Sequence, residues 1–313
     1  ADPGRSARIR CPAAPAGPGR VRSREGVSVV ELPTEAEPVK VVEGDCLSVL
    51  RDLPDGCVDA VITDPPYPCI KRPYGYWTEA EWFALMTPVV EECRRVLKPS
   101  GSAVFILQPN SERVGRMRTW LWEFMAKWGR EWGMVQDAWW WNVCAMPEAH
   151  AIQGRLLRPS LKSCVWLGSH DCLRDQNSVL WDEADGTRAY RQSDRAMKRV
   201  AFPSGHGVNR GAVMDAADRR GGVCPMNVIP CGNGKQGGMA GHGAATPQTL
   251  LQWWVRYICP PGGIVLDPFG GSGTTGLAAV KEGRRCLLVE RVPEYAEIAR
   301  RRTATAPGLF ATA

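Results

Sequence analysis

The constraint that most narrows the fold is a strand–turn–helix–strand run near the carboxyl end of the chain. The apolar residues 264–266 pass through Asp267-Pro268-Phe269 into Gly270-Gly271-Ser272-Gly273-Thr274-Thr275-Gly276. A helical pattern then runs from Thr274 to about Glu282 and is stopped by Gly283. A second apolar run, 286–289, ends in Glu290. This is a βαβ unit, and such units build parallel sheets with helices packed on their faces. Only 23 residues follow Glu290, so the remaining strands are expected earlier in the chain. The glycines let backbone approach a ligand closely, and the helix start offers unpaired N–H groups. An acidic strand end about 20 residues past such a turn commonly holds a ribose diol, so the segment reads as a nucleoside site. Gly271, Gly273 and Gly276 also spell a dinucleotide fingerprint, but too little chain follows Glu290 to complete a dinucleotide domain.

A second strand end lies 200 residues earlier, where the run 58–62, interrupted by Asp59, meets Asp64-Pro65-Pro66-Tyr67. Neither proline can donate to a ladder, and the residue before a proline is pushed away from helix, so the strand stops abruptly. A carboxylate, a free carbonyl and an aromatic ring are left together at the carboxyl end of a strand, where open α/β sheets place their sites. Those groups suit a flat ring bearing an amine, with acceptors for the NH2 and a face to stack on it.

Composition bounds the alternatives. At 313 residues the chain can bury a large core, and no run approaches the ~18 apolar residues of a membrane span. The first 24 residues hold six arginines and one aspartate, which supply most of the formal charge of +6, and residues 1–30 are expected to be a disordered leader. The remainder is almost neutral, so net charge says little about nucleic acid. None of the 12 cysteines forms a C-x-x-C pair, which favours reduced, partly buried thiols. Cys164, His170, Cys172, Cys224 and Cys231 are the least poor metal ligands, but their spacing is irregular and no metal is expected.

Strands and helices alternate along the rest of the chain. Thr78 with Glu81 forms a capping box that opens a helix burying Trp82, Met86, Val89, Cys93 and Val96. A strand is expected at 103–107, a long helix near 111–129 and further strands at 139–141 and 163–167. Val114, Met117, Leu121, Phe124 and Trp128 are placed on the inner face of that long helix. Thr246-Pro247 reads as the cap and first turn of another helix. Between about 168 and 241 the pattern turns irregular, with ten Lys or Arg among eight acidic residues.

The two motif segments together resemble the amino-directed DNA methyltransferases that use S-adenosylmethionine, in the permuted subclass where the Asp-Pro-Pro-Tyr motif precedes the glycine turn. Residues 39–45, ending in Gly44-Asp45, resemble the family's strand beside the cofactor adenine, and 94–101 resemble its helix-to-strand turn. At 242–250 only His242, Pro247 and Leu250 match the family's usual segment. The resemblance covers roughly 38–168 and 242–302. It implies a Rossmann-like α/β fold with a mostly parallel, doubly wound sheet. The catalytic half would be 31–168, a target-recognition insertion 169–241 and the cofactor-binding half 242–313.

In that resemblance Asp64, helped by the Pro65 carbonyl and the Pro66 turn, accepts from the amine of adenine or cytosine while Tyr67 stacks on the base. Phe269, Gly270, Gly271, Ser272 and Gly273 line the methionine end of S-adenosylmethionine with Asp267 near its charged groups, and Thr274 is a further cofactor-binding residue. Glu290 holds the ribose, and Asp45 lies by the adenine. Trp141 is a candidate aromatic beside the base. Double-stranded DNA is the expected partner, with a homodimer and a cognate restriction enzyme compatible with it, and the cytoplasm the expected location. Asp at the first motif position leans toward adenine. Methylation of RNA or a protein amide, a silent nucleic-acid binder, and a Cys69 thiolate attacking cytosine C6 are the competing readings.

Overall fold

The structure, a computed structural model, describes residues 30–72, 75–113, 115–143, 157, 159–181, 219, 221–222, 224–232 and 246–304. In chain order its first elements are β1 (Val39–Glu43), α1 (Cys46–Asp52), β2 (Val58–Thr63), α2 (Glu79–Val96) and β3 (Leu97–Leu107). A short hairpin, β4 (Ser111–Arg113) and β5 (Arg116–Met117), leads to α3 (Trp120–Trp128), β6 (Met134–Trp141) and β7 (Leu161–Gly168). After β8 (Val228–Pro230) come α4 (Gln248–Ile258), β9 (Ile264–Asp267), α5 (Thr274–Lys281), β10 (Arg285–Glu290) and α6 (Pro293–Ala304).

Eight strands form one sheet in the order β1-β10-β9-β2-β3-β7-β6-β8. Every neighbouring pair is parallel except the two that involve β7, which runs against both β3 and β6. This is the mostly parallel α/β sheet expected from the alternating pattern. All six residues of β2 are buried, as a strand covered on both faces requires. Its one charge, Asp59, is satisfied by Lys98 Nζ at 2.8 Å and by the Ile264 N–H at 2.8 Å.

Each face of the sheet carries its own core. On one side α1, α2 and α3 bury Leu50, Trp82, Met86, Val96, Phe124 and Trp128 against Val61, Phe105 and Leu266. On the other, Trp254, Val255 and Ile258 of α4 pack on Ile62, Val104, Trp166 and Val265. Thr78 and Glu81 form the expected reciprocal cap of α2, and the five apolar positions assigned to its inner face are all fully buried.

The long helix expected near 111–129 is corrected. Its first third is the β4–β5 hairpin, which turns through Gly115 at φ +77°, and helix begins only at Trp120. A glycine in the left-handed region is available for a turn at little cost, and that outweighs a weak helical pattern. Met117 is therefore 53 % exposed, while Leu121, Phe124 and Trp128 are buried as expected; Val114 lies outside the described residues.

The described pieces of 169–241 pack on the sheet body. The Leu173 N–H donates to the Ser100 carbonyl (2.9 Å), the Asp175 N–H donates to the Tyr257 carbonyl (2.8 Å), and β8 adds to β6. Most of the segment expected to recognise the target lies outside the described residues. So do the leader through residue 29 and His242.

Candidate active site

β2 and β9 lie side by side at the centre of the sheet. From β9 the chain proceeds through α5 to β10 on one side, and from β2 through α2 to β3 on the other. The crevice beyond their carboxyl ends is thus the switch point where open α/β sheets bind ligands. A cavity of about 960 Å³ opens there. Asp45, Asp64, Pro65, Pro66, Tyr67, Asp267, Phe269, Gly270, Gly271, Ser272, Thr274 and Glu290 all line it. Gly273 sits behind the lining at φ +83°, where an added Cβ would stand 3.0 Å from the Ala299 Cα of α6.

The Asp64 carboxylate is held at both oxygens. Tyr67 donates its hydroxyl to Oδ1 at 2.6 Å, and Thr246 donates its hydroxyl to Oδ2 at 2.6 Å. The turn itself is fixed from behind, where Trp82 Nε1 donates to the Pro66 carbonyl (2.6 Å) and Asn110 Nδ2 donates to the Pro68 carbonyl (2.6 Å). Lys162, which projects into the same cavity, lies 3.4 Å from the Tyr67 hydroxyl and 4.9 Å from the centre of the Trp140 ring.

Asp267 is buried and turned onto the protein. It accepts from the hydroxyls of Thr63 and Thr275, both at 2.6 Å, and from the Phe269 N–H at 3.1 Å. Burial raises its pKa from 3.8 to about 6 despite those donors. Its carboxylate staples the two central strand ends together. Glu290 accepts the Gly271 N–H at Oε2 (2.8 Å) and the Val292 N–H at Oε1 (2.7 Å), which anchors the glycine turn to the end of β10. A carboxylate has about four acceptor sites, so two such bonds leave it capacity toward the cavity. Asp45 caps α1, accepting from the Ser48 N–H at 3.0 Å and the Ser48 hydroxyl at 3.1 Å.

Three residues of the site escaped the sequence reading. Thr246 was expected to cap α4, yet Pro247 occupies the cap position without a side-chain bond and the threonine faces Asp64 instead. Lys162 lies just before the strand expected at 163–167, which in the structure begins at Leu161 and so carries the lysine on its first pleat. Arg302, half-buried in α6, donates to the Ser272 carbonyl at 2.6 Å and to its Oγ at 2.9 Å. No local pattern marks it, because its partners lie 30 residues away.

Trp141 does not join the site. It is 45 % exposed and absent from the cavity wall, whereas its neighbour Trp140 is buried and donates to the Cys231 carbonyl at 2.9 Å. Cys69 also lies off the wall, in a turn with φ +59°. The ten described cysteines are free thiols, and burial pushes those of Cys46, Cys164 and Cys259 up to about 12. Among the described residues no group of three or more His, Cys, Asp or Glu is placed to hold a metal.

Known proteins resemble this chain in sequence and in fold. A family model described as DNA methylase, of the N6/N4 type, matches residues 58–301. The type II methyltransferase M.PvuII of Proteus hauseri is 27 % identical over 282 residues, covering 80 % of this chain and 80 % of that protein. The DNA adenine methyltransferase YhdJ of Escherichia coli K12 is 26 % identical over 286 residues, 89 % of this chain and 86 % of its own. Among solved structures, the cytosine-N4-specific PvuII DNA methyltransferase superposes with a TM-score of 0.64 at 20 % identity, covering 85 % of this chain and 86 % of that one. The M1.HpyAVI–SAM complex follows at 0.53 and 19 %, covering 84 % and 98 %. With the family match spanning most of the sheet and both strand-end motifs, the chain belongs to the DNA methylases of the N6-adenine/N4-cytosine family.

Proposed function

We propose that this protein moves a methyl group from S-adenosylmethionine to the exocyclic amine of adenine or cytosine in double-stranded DNA, using Asp64 as the amine acceptor. The observation that carries the reading is the meeting of Asp64-Pro65-Pro66-Tyr67 and the glycine turn on one cavity at adjoining strand ends. The wall fits the cofactor: Glu290 retains acceptor capacity for a ribose diol and Phe269 offers an apolar face, while the bare Cα of Gly270 lets the glycine turn sit against β10, where a Cβ would stand 3.0 Å from Leu288 Cβ. Asp45 lies where β1 ends, beside the expected adenine position.

The cofactor would supply a methyl group made electrophilic by its sulfonium. The amine of a nucleobase is a poor nucleophile because its lone pair is delocalised into the ring. Asp64 and the Pro65 carbonyl would accept hydrogen bonds from the NH2 and localise that pair on nitrogen. Tyr67 would hold the ring by stacking, with the base extruded at a cost of a few kcal/mol. Positioning and electrostatics then carry the rate, and no covalent enzyme intermediate is required. Asp at position 64 leans toward adenine; one relative is named an adenine methyltransferase and a structural neighbour is cytosine-N4-specific. The same reading places the protein in the cytoplasm and admits a homodimer and a cognate restriction enzyme as partners.

Nucleoside mass spectrometry on DNA from a methylation-deficient bacterial host tests this. Expression of the wild type should yield N6-methyladenine or N4-methylcytosine, and Asp64→Ala should yield neither. Absence of both bases with soluble wild-type protein, or their persistence with Asp64→Ala, would overturn the proposal.

A further inference from the structure

We propose that Thr246 is a positioning residue for the reaction, fixing the plane of the Asp64 carboxylate across the junction between the two halves of the chain. The inference rests on the proposed role of Asp64 and adds a residue to it. Thr246 is buried, and its hydroxyl lies 2.6 Å from Asp64 Oδ2, 182 residues away in sequence. Such a short O–H···O⁻ bond is of the strong, charge-assisted kind. A threonine before a helix is normally spent on capping it, a bond worth about 1 kcal/mol. Here Pro247 holds the cap position of α4, with no side-chain cap bond. The hydroxyl is directed at the carboxylate instead.

Geometry gives that contact its consequence. Tyr67 grips Oδ1 from within the same turn, and Thr246 grips Oδ2 from the start of α4. With one oxygen held from each side, the carboxylate cannot rotate about its Cβ–Cγ bond without losing a donor. Each oxygen keeps acceptor capacity for a bound amine. Without Thr246 the second oxygen loses its anchor, and the two acceptors proposed for the amine, Asp64 and the Pro65 carbonyl, no longer present a fixed pair.

Thr246→Val removes the O–H at nearly constant volume, and Thr246→Ser keeps it. On duplex DNA, Thr246→Val should lower kcat on the order of 10–100-fold, the usual cost of a small misplacement at a reacting centre. Its KM for DNA and its Kd for S-adenosylmethionine should stay within about threefold of wild type, since neither ligand needs the hydroxyl for binding. Thr246→Ser should recover most of kcat. Equal activity of the valine variant and the wild type would overturn the inference while leaving the proposed function intact. Equal impairment of both variants, or a loss confined to KM or Kd, would reduce Thr246 to a packing role. A wild type that transfers no methyl group would remove the proposed function and this inference together.

Discussion

Asp267 shows how one residue can be both costly and useful. Burial raises the pKa of its carboxyl from an ordinary 3.8 to about 6 in the folded protein, because desolvation outweighs the two threonine hydroxyls and the Phe269 N–H that hold it. Between those pH values the folded state binds more protons than the unfolded state. Stability should therefore fall as pH rises from about 4 to about 6 and change little above that on account of this group. The gap between 3.8 and about 6 corresponds to about 3 kcal/mol. Asp267→Asn removes the titration, so the stability of wild type minus that of the variant should drop by an amount of that order between pH 4 and pH 7. Urea unfolding of both proteins at the two pH values reads it; a pH-independent difference would show that Asp267 does not titrate in that window. The same carboxylate ties Thr63, next to Asp64, to the first turn of α5. The cost at one residue is thus matched by a fixed distance between two strand ends.

At the level of elements, the glycine turn is shaped by a helix that the local sequence gives no reason to associate with it. α6 backs the turn twice, through Arg302 on Ser272 and through the Ala299 backbone against Gly273. Gly273→Ala would meet both a left-handed φ of +83° and a contact of 3.0 Å to Ala299 Cα, whereas Gly283→Ala at φ +69° would meet open space. Both should destabilise, Gly283→Ala by about 1 kcal/mol and Gly273→Ala by clearly more, since backbone must move as well. Thermal melts of the two variants side by side give the steric part by difference, and equal losses would mean α6 yields freely. What could be read in advance follows the range of the interactions. β2, α2 and the β9–α5–β10 unit were legible because apolar period, caps and glycine stops act within a few residues. The hairpin at 111–117 was not, because Gly115 decided between two weak local patterns. Thr246, Lys162 and Arg302 were not, because each is defined by a partner 28 to 182 residues away.

For the whole molecule, the central seam joins the two halves of the chain over a short parallel pairing, Ala60 with Val265 and Val61 with Leu266. Side-chain bonds reinforce it: Asp59 to the Ile264 N–H, Thr63 to Asp267, and Asp64 to Thr246. The order of the two motifs in the chain was legible, and so was their common address, because each was seen to end a strand. That they share one cavity required the sheet order, which puts β2 and β9 side by side although 200 residues separate them. A cavity with walls from both halves couples ligand binding to the stability of the whole. A ligand at about 100 times its Kd stabilises the folded state by about 2.7 kcal/mol, which for a chain of this size raises Tm by roughly 4 °C. S-adenosylmethionine should therefore shift the melting of the wild type by that amount. Asp64→Ala, altered on the side of the cavity assigned to the base, should retain the shift. Glu290→Ala should lose most of it, because the proposed ribose acceptor and the anchor of Gly271 go together. Differential scanning fluorimetry with and without the cofactor checks all three. A full shift in Glu290→Ala would remove the cofactor from this end of β10, and a lost shift in Asp64→Ala would show that the base and cofactor sides of the cavity are not separable.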